Sequence, residues 1–209
     1  MGSQEGITLI MILTKKEKSS LVGMILGDAY LQATGKRNAR LRLEHSLKQK
    51  KYLEWKISLL PLQFQGVKHI DRIHPKTRKK YSYVRAQSDA SPILGKMRSL
   101  FYPYGKKQIP ENLSRYLRHP LGLAVWYMDD GYYSNRSHDR SVHIYLGKVT
   151  EKEAHSAREA IEKRFLLKST VVNKKEKGFL LYFSPKETKK FFSVIQRYVI
   201  EEMRYKLPS

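Results

Sequence analysis

Three acidic residues follow two largely apolar stretches of the sequence and could bind a metal ion. Asp28 follows the run 21–27, and Asp129 and Asp130 follow the run 121–128. A carboxylate at the C-terminal end of a helix meets the negative pole of the helix dipole, which costs about 0.3–1 kcal/mol. If the two helices pack side by side, a divalent cation such as Mg²⁺ would relieve the concentrated charge. Asp-Asp-Gly is also typical of a turn, and the repetition of the pattern favours the metal site.

The elements that would carry these acids occur twice in the same order. Each copy begins with the apolar helix and continues with two strands, a capped helix, two more strands and a final helix that starts at a Ser-Pro pair. We therefore predict an α+β fold of two pseudo-symmetric αββαββα halves, over 14–110 and 111–209, preceded by an N-terminal extension, 1–13. The helix-start signals are Thr14, Ser46 and Ser91 in the first half and Pro120, Thr150 and Ser184 in the second.

The composition indicates a polyanionic partner. The chain carries 41 Lys and Arg residues against 19 acids, a net charge of +22 with a pI near 10.0. The segment 36–85 alone contains 15 basic residues and three acids. A hydrophobic share of 41% excludes a disordered basic tail, and the absence of cysteine excludes disulfide scaffolds, thiol catalysis and cysteine-bound zinc.

Some of these basic residues alternate with the period of a β-strand. Arg40 and Arg42 alternate with Leu41 and Leu43, so a strand would bury the leucines and expose the arginines on its other face. Guanidinium groups reach guanine bases and phosphates, so such a face suits a nucleic-acid groove. The candidate DNA-binding residues are Lys36, Arg37, Arg40, Arg42, Arg72, Lys76, Arg78, Tyr81, Tyr83, Arg85, Asn135, Arg136, Arg140, His143, Tyr145, Asn173, Lys174 and Lys175.

The two apolar segments with their acids, 21–29 and 123–131, resemble the motif helices of a single-chain LAGLIDADG homing endonuclease of the intron-encoded branch. The Trp-Tyr-Met-Asp-Asp-Gly form of the second motif, with the Lys-x-Ile-Pro element at Lys107 and the Lys-Leu-Pro element at Lys206, is specific to that branch. The resemblance spans nearly the whole chain. It implies that the motif helices pack at the centre and that two antiparallel β-saddles form a DNA-binding groove.

The same resemblance implies a set of metal ligands at the ends of the motif helices. Asp28 and Asp130 would bind the catalytic metal ions through their carboxylates. The backbone carbonyls of Gly27 and Asp129 would complete the oxygen ligands. Oxygen ligands of this kind suit Mg²⁺, for which Mn²⁺ is expected to substitute.

The resemblance also implies a reaction. Lys107 and Lys206 match basic residues that lie near the attacking water in that family. Each half would hydrolyse one strand of double-stranded DNA, giving a staggered break in a long site. The two halves share their order of elements but not their side chains, so we expect a monomer that acts on a non-palindromic site.

Two other functions would also require a strongly basic protein. A maturase with the host intron RNA as its partner would need the basic surface but would be free to lose the acids and lysines that this chain keeps. A non-enzymatic DNA-binding module would have no use for paired acids.

The apolar stretch 7–13 is too short to span a membrane and lacks a secretory cleavage signal. We therefore expect an intracellular protein, in the cytoplasm or in a chloroplast or mitochondrion that encodes it.

Overall fold

A computed structural model describes residues 12–136 and 139–208. Within them each half has the predicted order of helices and strands. The first half consists of α1 (Lys15–Leu26), β1 (Tyr30–Thr34), β2 (Asn38–Ser46), α2 (Lys50–Ser58), β3 (Phe64–Ile73), β4 (Lys80–Ser88) and α3 (Pro92–Phe101). The second half consists of α4 (Pro120–Asp130), β5 (Gly131–Arg136), β6 (Asp139–Gly147), α5 (Glu151–Phe165), β7 (Thr170–Asn173), β8 (Phe179–Phe183) and α6 (Pro185–Ile195).

The outer limits of the halves stay predictions. Most of the expected N-terminal extension, residues 1–11, lies outside the described part of the chain. Among the helices that are described, none is both long and apolar enough to cross a membrane.

Each half forms one antiparallel sheet, so the predicted α+β class is confirmed. The strand orders are β1-β2-β4-β3 in the first sheet and β5-β6-β8-β7 in the second. In β2, Leu41 and Leu43 are buried, whereas Arg40 and Arg42 are partly exposed on the opposite face, as predicted. Helices α2 and α3 pack against the first sheet, and α5 and α6 pack against the second. The other face of each sheet is therefore the one that a ligand can reach.

The motif helices α1 and α4 pack directly against each other at the centre, as predicted. A Cβ atom at Gly23 would lie 2.1 Å from the backbone oxygen of Gly122, and one at Gly122 would lie 2.3 Å from the backbone oxygen of Ser19. The Ser19 hydroxyl also donates to the backbone oxygen of His119 at 2.9 Å. Both helices are buried over most of their circumference, as expected for core helices. The glycines thus allow a backbone contact that any side chain would prevent.

The predicted helix caps are confirmed at four helices, where the side-chain oxygen accepts a backbone N–H: Thr14, Ser91, Thr150 and Ser184. Pro120 lies in the first turn of α4, also as predicted. The prediction for Ser46 is wrong, because the 3₁₀ turn Leu47–Gln49 separates it from α2 and its side chain makes no cap bond. Ser46 is instead the last residue of β2, where it pairs with Tyr83.

Candidate active site

The acids at the ends of the motif helices lie close to one another. Asp28 follows the C-cap residue Gly27 with its side chain 49% exposed, and Asp130 is the last residue of α4 and half-buried. Partial desolvation and the charge of Asp129 raise the pKa of Asp28. Desolvation and the charges of Asp28 and Asp129 raise the pKa of Asp130 to about 7. Burial and mutual repulsion that shift pKa values in this way are typical of functional sites.

Lys107 and Lys206 contact the two helix ends in matching ways. Lys107 Nζ donates to the backbone oxygen of Gly27 at 2.6 Å. Lys206 Nζ donates to the backbone oxygens of Met128 and Asp129 at 2.6 and 3.1 Å. Desolvation lowers the pKa of both lysines, although the neighbouring acids oppose this shift. An ammonium group therefore lies against the terminal carbonyls of each motif helix, where the dipole favours positive charge.

The side chain of Asp129 forms a buried ion pair that the sequence did not predict. Its carboxylate accepts hydrogen bonds from Lys56 Nζ at 2.5 and 2.7 Å and from the Tyr52 hydroxyl at 2.8 Å. Its Oδ2 atom also accepts the backbone N–H of Asp28 at 3.2 Å. The side chains of Lys56 and Asp129 are both fully buried. The signal for this pair in the sequence is that Lys56 follows Tyr52 by one turn on the buried face of α2.

His45 completes this cluster on the side of Asp28. Its Nε2 atom lies 3.1 Å from Lys56 Nζ, and its Nδ1 atom lies 3.8 Å from Asp28 Oδ2. Burial and the charge of Lys56 lower the pKa of His45 to about 4, so the ring is neutral at pH 7. Because an ammonium group can only donate, Nε2 is the acceptor and the ring proton is assigned to Nδ1. One possible metal-ligand atom from each of Asp28, His45 and Asp129 lies within 4.8 Å of the other two.

The open face of the first sheet carries most of the candidate DNA-binding residues of this half. Residues paired across an antiparallel sheet share a face, and Arg42 pairs with Gln87 while Arg85 pairs with Glu44. The residues on this face are Arg40, Arg42, Arg72, Tyr81, Tyr83 and Arg85, and those exposed in the turns at its ends are Lys36, Arg37, Lys76 and Arg78.

Glu44 lies among these arginines, and the sequence did not single it out. Its carboxylate is 2.8 Å from Arg72, 2.6 Å from Arg85 and 3.5 Å from Arg42. Partial burial raises the pKa of Glu44, but hydrogen bonds from Arg72 and Arg85 outweigh it and lower the pKa below its ordinary value. The carboxylate therefore orients three guanidinium groups on the open face.

The open face of the second sheet is aromatic where the first is basic. His143 pairs with both Tyr132 and Tyr182, and its ring meets theirs edge to face at centroid distances of 6.2 and 5.4 Å. Tyr145, two residues further along β6, is 43% exposed. The polar candidates of this half are exposed at the ends of the strands: Asn135, Arg136, Arg140, Asn173, Lys174 and Lys175.

Two similar halves, each with an open sheet and with an acid and a lysine at the end of a central helix, define a two-motif nuclease architecture. Residues 18–191 match the model of the LAGLIDADG DNA endonuclease family. The chain belongs to this family and is therefore a DNA endonuclease, as the resemblance implied.

The chain is also similar to individual relatives and to a solved structure. The chain is 26% identical to "Probable intron-encoded endonuclease 1" of Wickerhamomyces canadensis over 93% of its own length and 85% of the relative. It is 31% identical to "Protein RecA" of Mycobacterium gastri, a match that covers 94% of the chain but 48% of that protein. Its fold is similar to that of "The homing endonuclease I-WcaI bound to its DNA recognition sequence", with a TM-score of 0.84, 24% identity and coverage of 95% and 88% of the two chains.

Proposed function

We propose that this endonuclease is site-specific and hydrolyses both strands of a long, non-palindromic duplex, leaving a staggered break. The observation that carries the proposal is the matching placement of Asp28 with Lys107 and of Asp130 with Lys206 at the ends of the two central helices. Each half thus has one acid and one lysine with which to cut one strand. The similarity to a homing endonuclease that binds a DNA recognition sequence supports the same substrate class here.

We propose Mg²⁺ as the cofactor, with Mn²⁺ able to substitute. The donors would be the carboxylates of Asp28 and Asp130 and the backbone oxygens of Gly27 and Asp129, and a set made only of oxygen atoms fits a hard divalent cation. Each of the two backbone oxygens also accepts a hydrogen bond from a lysine and has a second lone pair for a cation. The raised pKa values of the two acids support this role, because burial and the repulsion between the acids disfavour charges that a bound cation would stabilise. When bound, the metal would supply an activated water and stabilise charge on the phosphate.

The protein's own groups have distinct roles in this reaction. Asp28 and Asp130 act as carboxylates, so the half-buried Asp130 gives up its proton before it can bind a cation. The ammonium groups of Lys107 and Lys206 stabilise negative charge that develops on the phosphate oxygens during in-line attack. Their contacts with the helix carbonyls hold them beside the acids, so little reorganisation is needed.

We propose that the open faces of the two sheets bind the duplex and that the protein acts as a monomer. Arg40 and Arg42 on one face and His143 and Tyr145 on the other present different chemistry to the two half-sites. A duplex with two identical half-sites should therefore be cut poorly. The compartment stays a prediction: an intracellular one, either the cytoplasm or an organelle that holds the target DNA.

The test uses a duplex that joins the sequences flanking the chain's own coding element, called here the flank-joined duplex. We expect cleavage of both strands at staggered positions with Mg²⁺ or Mn²⁺ and none with EDTA. Intact DNA in all conditions would contradict the proposal. If the protein instead binds its host intron RNA and promotes splicing without cutting, the maturase function is the correct one.

A further inference from the structure

The buried ion pair of Lys56 and Asp129 is not explained by stability. Both side chains are fully buried, and the removal of two charges from water is costly. Apolar residues of similar volume often fold equally well at such a place. The Lys56 ammonium is nevertheless fully engaged, because its partners are both oxygens of Asp129 and the Nε2 atom of His45. A costly arrangement that lies directly beside the catalytic acids is more readily explained by a role at those acids.

The second half shows that the fold itself does not require the cluster. The two helices can be aligned by counting from the residue that precedes each of them. The seventh residue in this count is Lys56 in α2 and Ala157 in α5. His45 lies three residues after Arg42, which pairs with Tyr30. The third residue after His143, which pairs with Tyr132, is Leu146, at a bulge of β6 that ends at Gly147. Asp129 itself matches Gly27, since each precedes the acid of its motif. The matching positions therefore hold Ala, Leu and Gly where the cluster has Lys, His and Asp.

The cluster contacts Asp28 from two directions. The Asp129 carboxylate accepts the backbone N–H of Asp28, and the side chain of Asp129 packs so closely on Gly27 that a Cβ atom there would lie 2.3 Å from Oδ2. On the other side, the Nδ1 atom of His45 faces the carboxylate of Asp28. Lys56 holds both contacting groups, because it binds the Asp129 carboxylate and fixes the His45 ring proton on the side of Asp28.

We propose that Lys56, acting through Asp129 and His45, is a positioning residue for the catalytic acid of the first half. This inference rests on the proposed function, since it assigns a role within that active site. Asp28 is contacted by two members of a buried ionic cluster, through its backbone N–H and beside its carboxylate, and Asp130 lacks the matching set. The two strands of the target therefore depend on differently built acids, and loss of the cluster should slow the cleavage of one strand more than that of the other.

The test combines two variants that keep the fold in different ways. Lys56→Met alone would leave the Asp129 carboxylate buried without its partner, so the main variant is the double change Lys56→Met with Asp129→Asn. His45→Leu copies the residue of the second half and leaves the ion pair intact. Lys50→Met is the matched control, because Lys50 is an exposed lysine of the same helix, paired with Glu54.

Single-turnover cleavage of the flank-joined duplex, with each strand labelled separately, gives the decisive readout. We expect the double variant to bind the duplex with wild-type affinity and to cut one strand about tenfold to a hundredfold more slowly, the range that a small misplacement of a catalytic group produces. His45→Leu should slow the same strand to a smaller extent, and Lys50→Met should cut like the wild type.

Three outcomes would overturn this inference. If the double variant and His45→Leu cut both strands at wild-type rates, the cluster is only structural. If both strands slow equally, the cluster does not act through Asp28. If the wild type itself leaves both strands intact, the proposed function fails, and the positioning role fails with it. Should the double variant not fold, the strand ratio of His45→Leu decides alone.

Discussion

The two halves of the chain repeat one backbone but differ in the side chains around it. In the first half, Glu44 orients arginines on the open sheet face, and Lys56 lies in a buried ionic cluster. In the second half, the corresponding face carries His143 among tyrosines, and Leu146, which matches His45, lines a cavity of about 200 Å³. The order of helices and strands is set by signals that both halves keep. Under the proposed function, contacts with DNA would be made by side chains that differ between the halves, as binding to an asymmetric site requires.

The largest effect is expected from the acids that both halves share. Asp28→Asn and Asp130→Asn should each lower double-strand cleavage by orders of magnitude, because each removes a charge from a site with few protein ligands. Binding of the flank-joined duplex should persist. Gel assays of cleavage and of binding measure both effects, and Asp89→Asn, at an exposed loop acid, is the control. Wild-type cleavage by both active-site variants would show that these acids are only turn residues.

The next largest effect is expected where the halves meet. Gly23→Ala or Gly122→Ala should destabilise the protein by about 1–3 kcal/mol or more. In each variant the new Cβ atom would overlap a backbone oxygen of the opposite motif helix, that of Gly122 or that of Ser19. Thermal unfolding measures the loss, with Lys16→Ala on the exposed start of α1 as the control. An unchanged melting temperature for both glycine variants would show that the helices can separate without penalty.

The open faces should differ in how their DNA binding responds to salt. Replacement of Arg40 and Arg42 by Ala should weaken DNA binding and reduce the slope of log affinity against log salt by about two, one for each phosphate that the variant no longer neutralises. Replacement of His143 and Tyr145 by Ala should weaken binding with little change in slope. Titrations between about 50 and 200 mM salt test this. An equal change of slope in both variants, or a melting loss in the arginine variant as large as a core deletion, would contradict the contrast.

A smaller effect is expected on the pH dependence of the metal-free protein. The pKa of Asp130 is raised from 3.8 to about 7, so the folded protein keeps a proton that the unfolded chain releases. The contribution of Asp130 to stability should therefore fall as pH rises from about 4 to about 7, whereas that of His45, whose pKa is lowered to about 4, rises over much of the same range. The difference between the wild type and Asp130→Asn isolates the contribution of Asp130. Asp130→Asn should remove part of this fall and melt at or above the wild type at pH 8 in EDTA. If the difference in melting temperature between the variant and the wild type does not change with pH over this range, and the variant melts lower at pH 8, Asp130 is not destabilised by its surroundings.

The smallest effect is expected from Glu44. Glu44→Gln keeps the shape but removes the charge that orients Arg72 and Arg85, so binding to unrelated DNA should strengthen by roughly threefold or less. Discrimination between the flank-joined duplex and a scrambled duplex should decrease. The ratio of the two dissociation constants measures this, and an unchanged ratio would show that the arginines need no partner to read the site.

Several features of the site could be predicted because their signals are local or repeated. Helix caps at Thr14 and Thr150 depend on residues three positions apart, and the alternation of Arg40 and Arg42 with leucines depends on the strand period. The cap at Ser46 failed because the end of a sheet strand overrode a local signal. The positions of Asp28 and Asp130 at helix ends followed from apolar runs that stop at acids.

The sequence by itself determined the order of elements, the basic character of the chain and the acids at the ends of its motif helices, because these depend on neighbouring residues and on composition. Only the tertiary structure decided that Lys56 pairs with Asp129, 73 positions away, and that Glu44 lies among arginines of three different strands. A buried charge is tolerated where folding brings a partner of opposite charge into contact with it. The identity of that partner cannot be predicted from the pattern of neighbouring residues. Repetition therefore indicated where the two halves are alike, and packing decided where they differ.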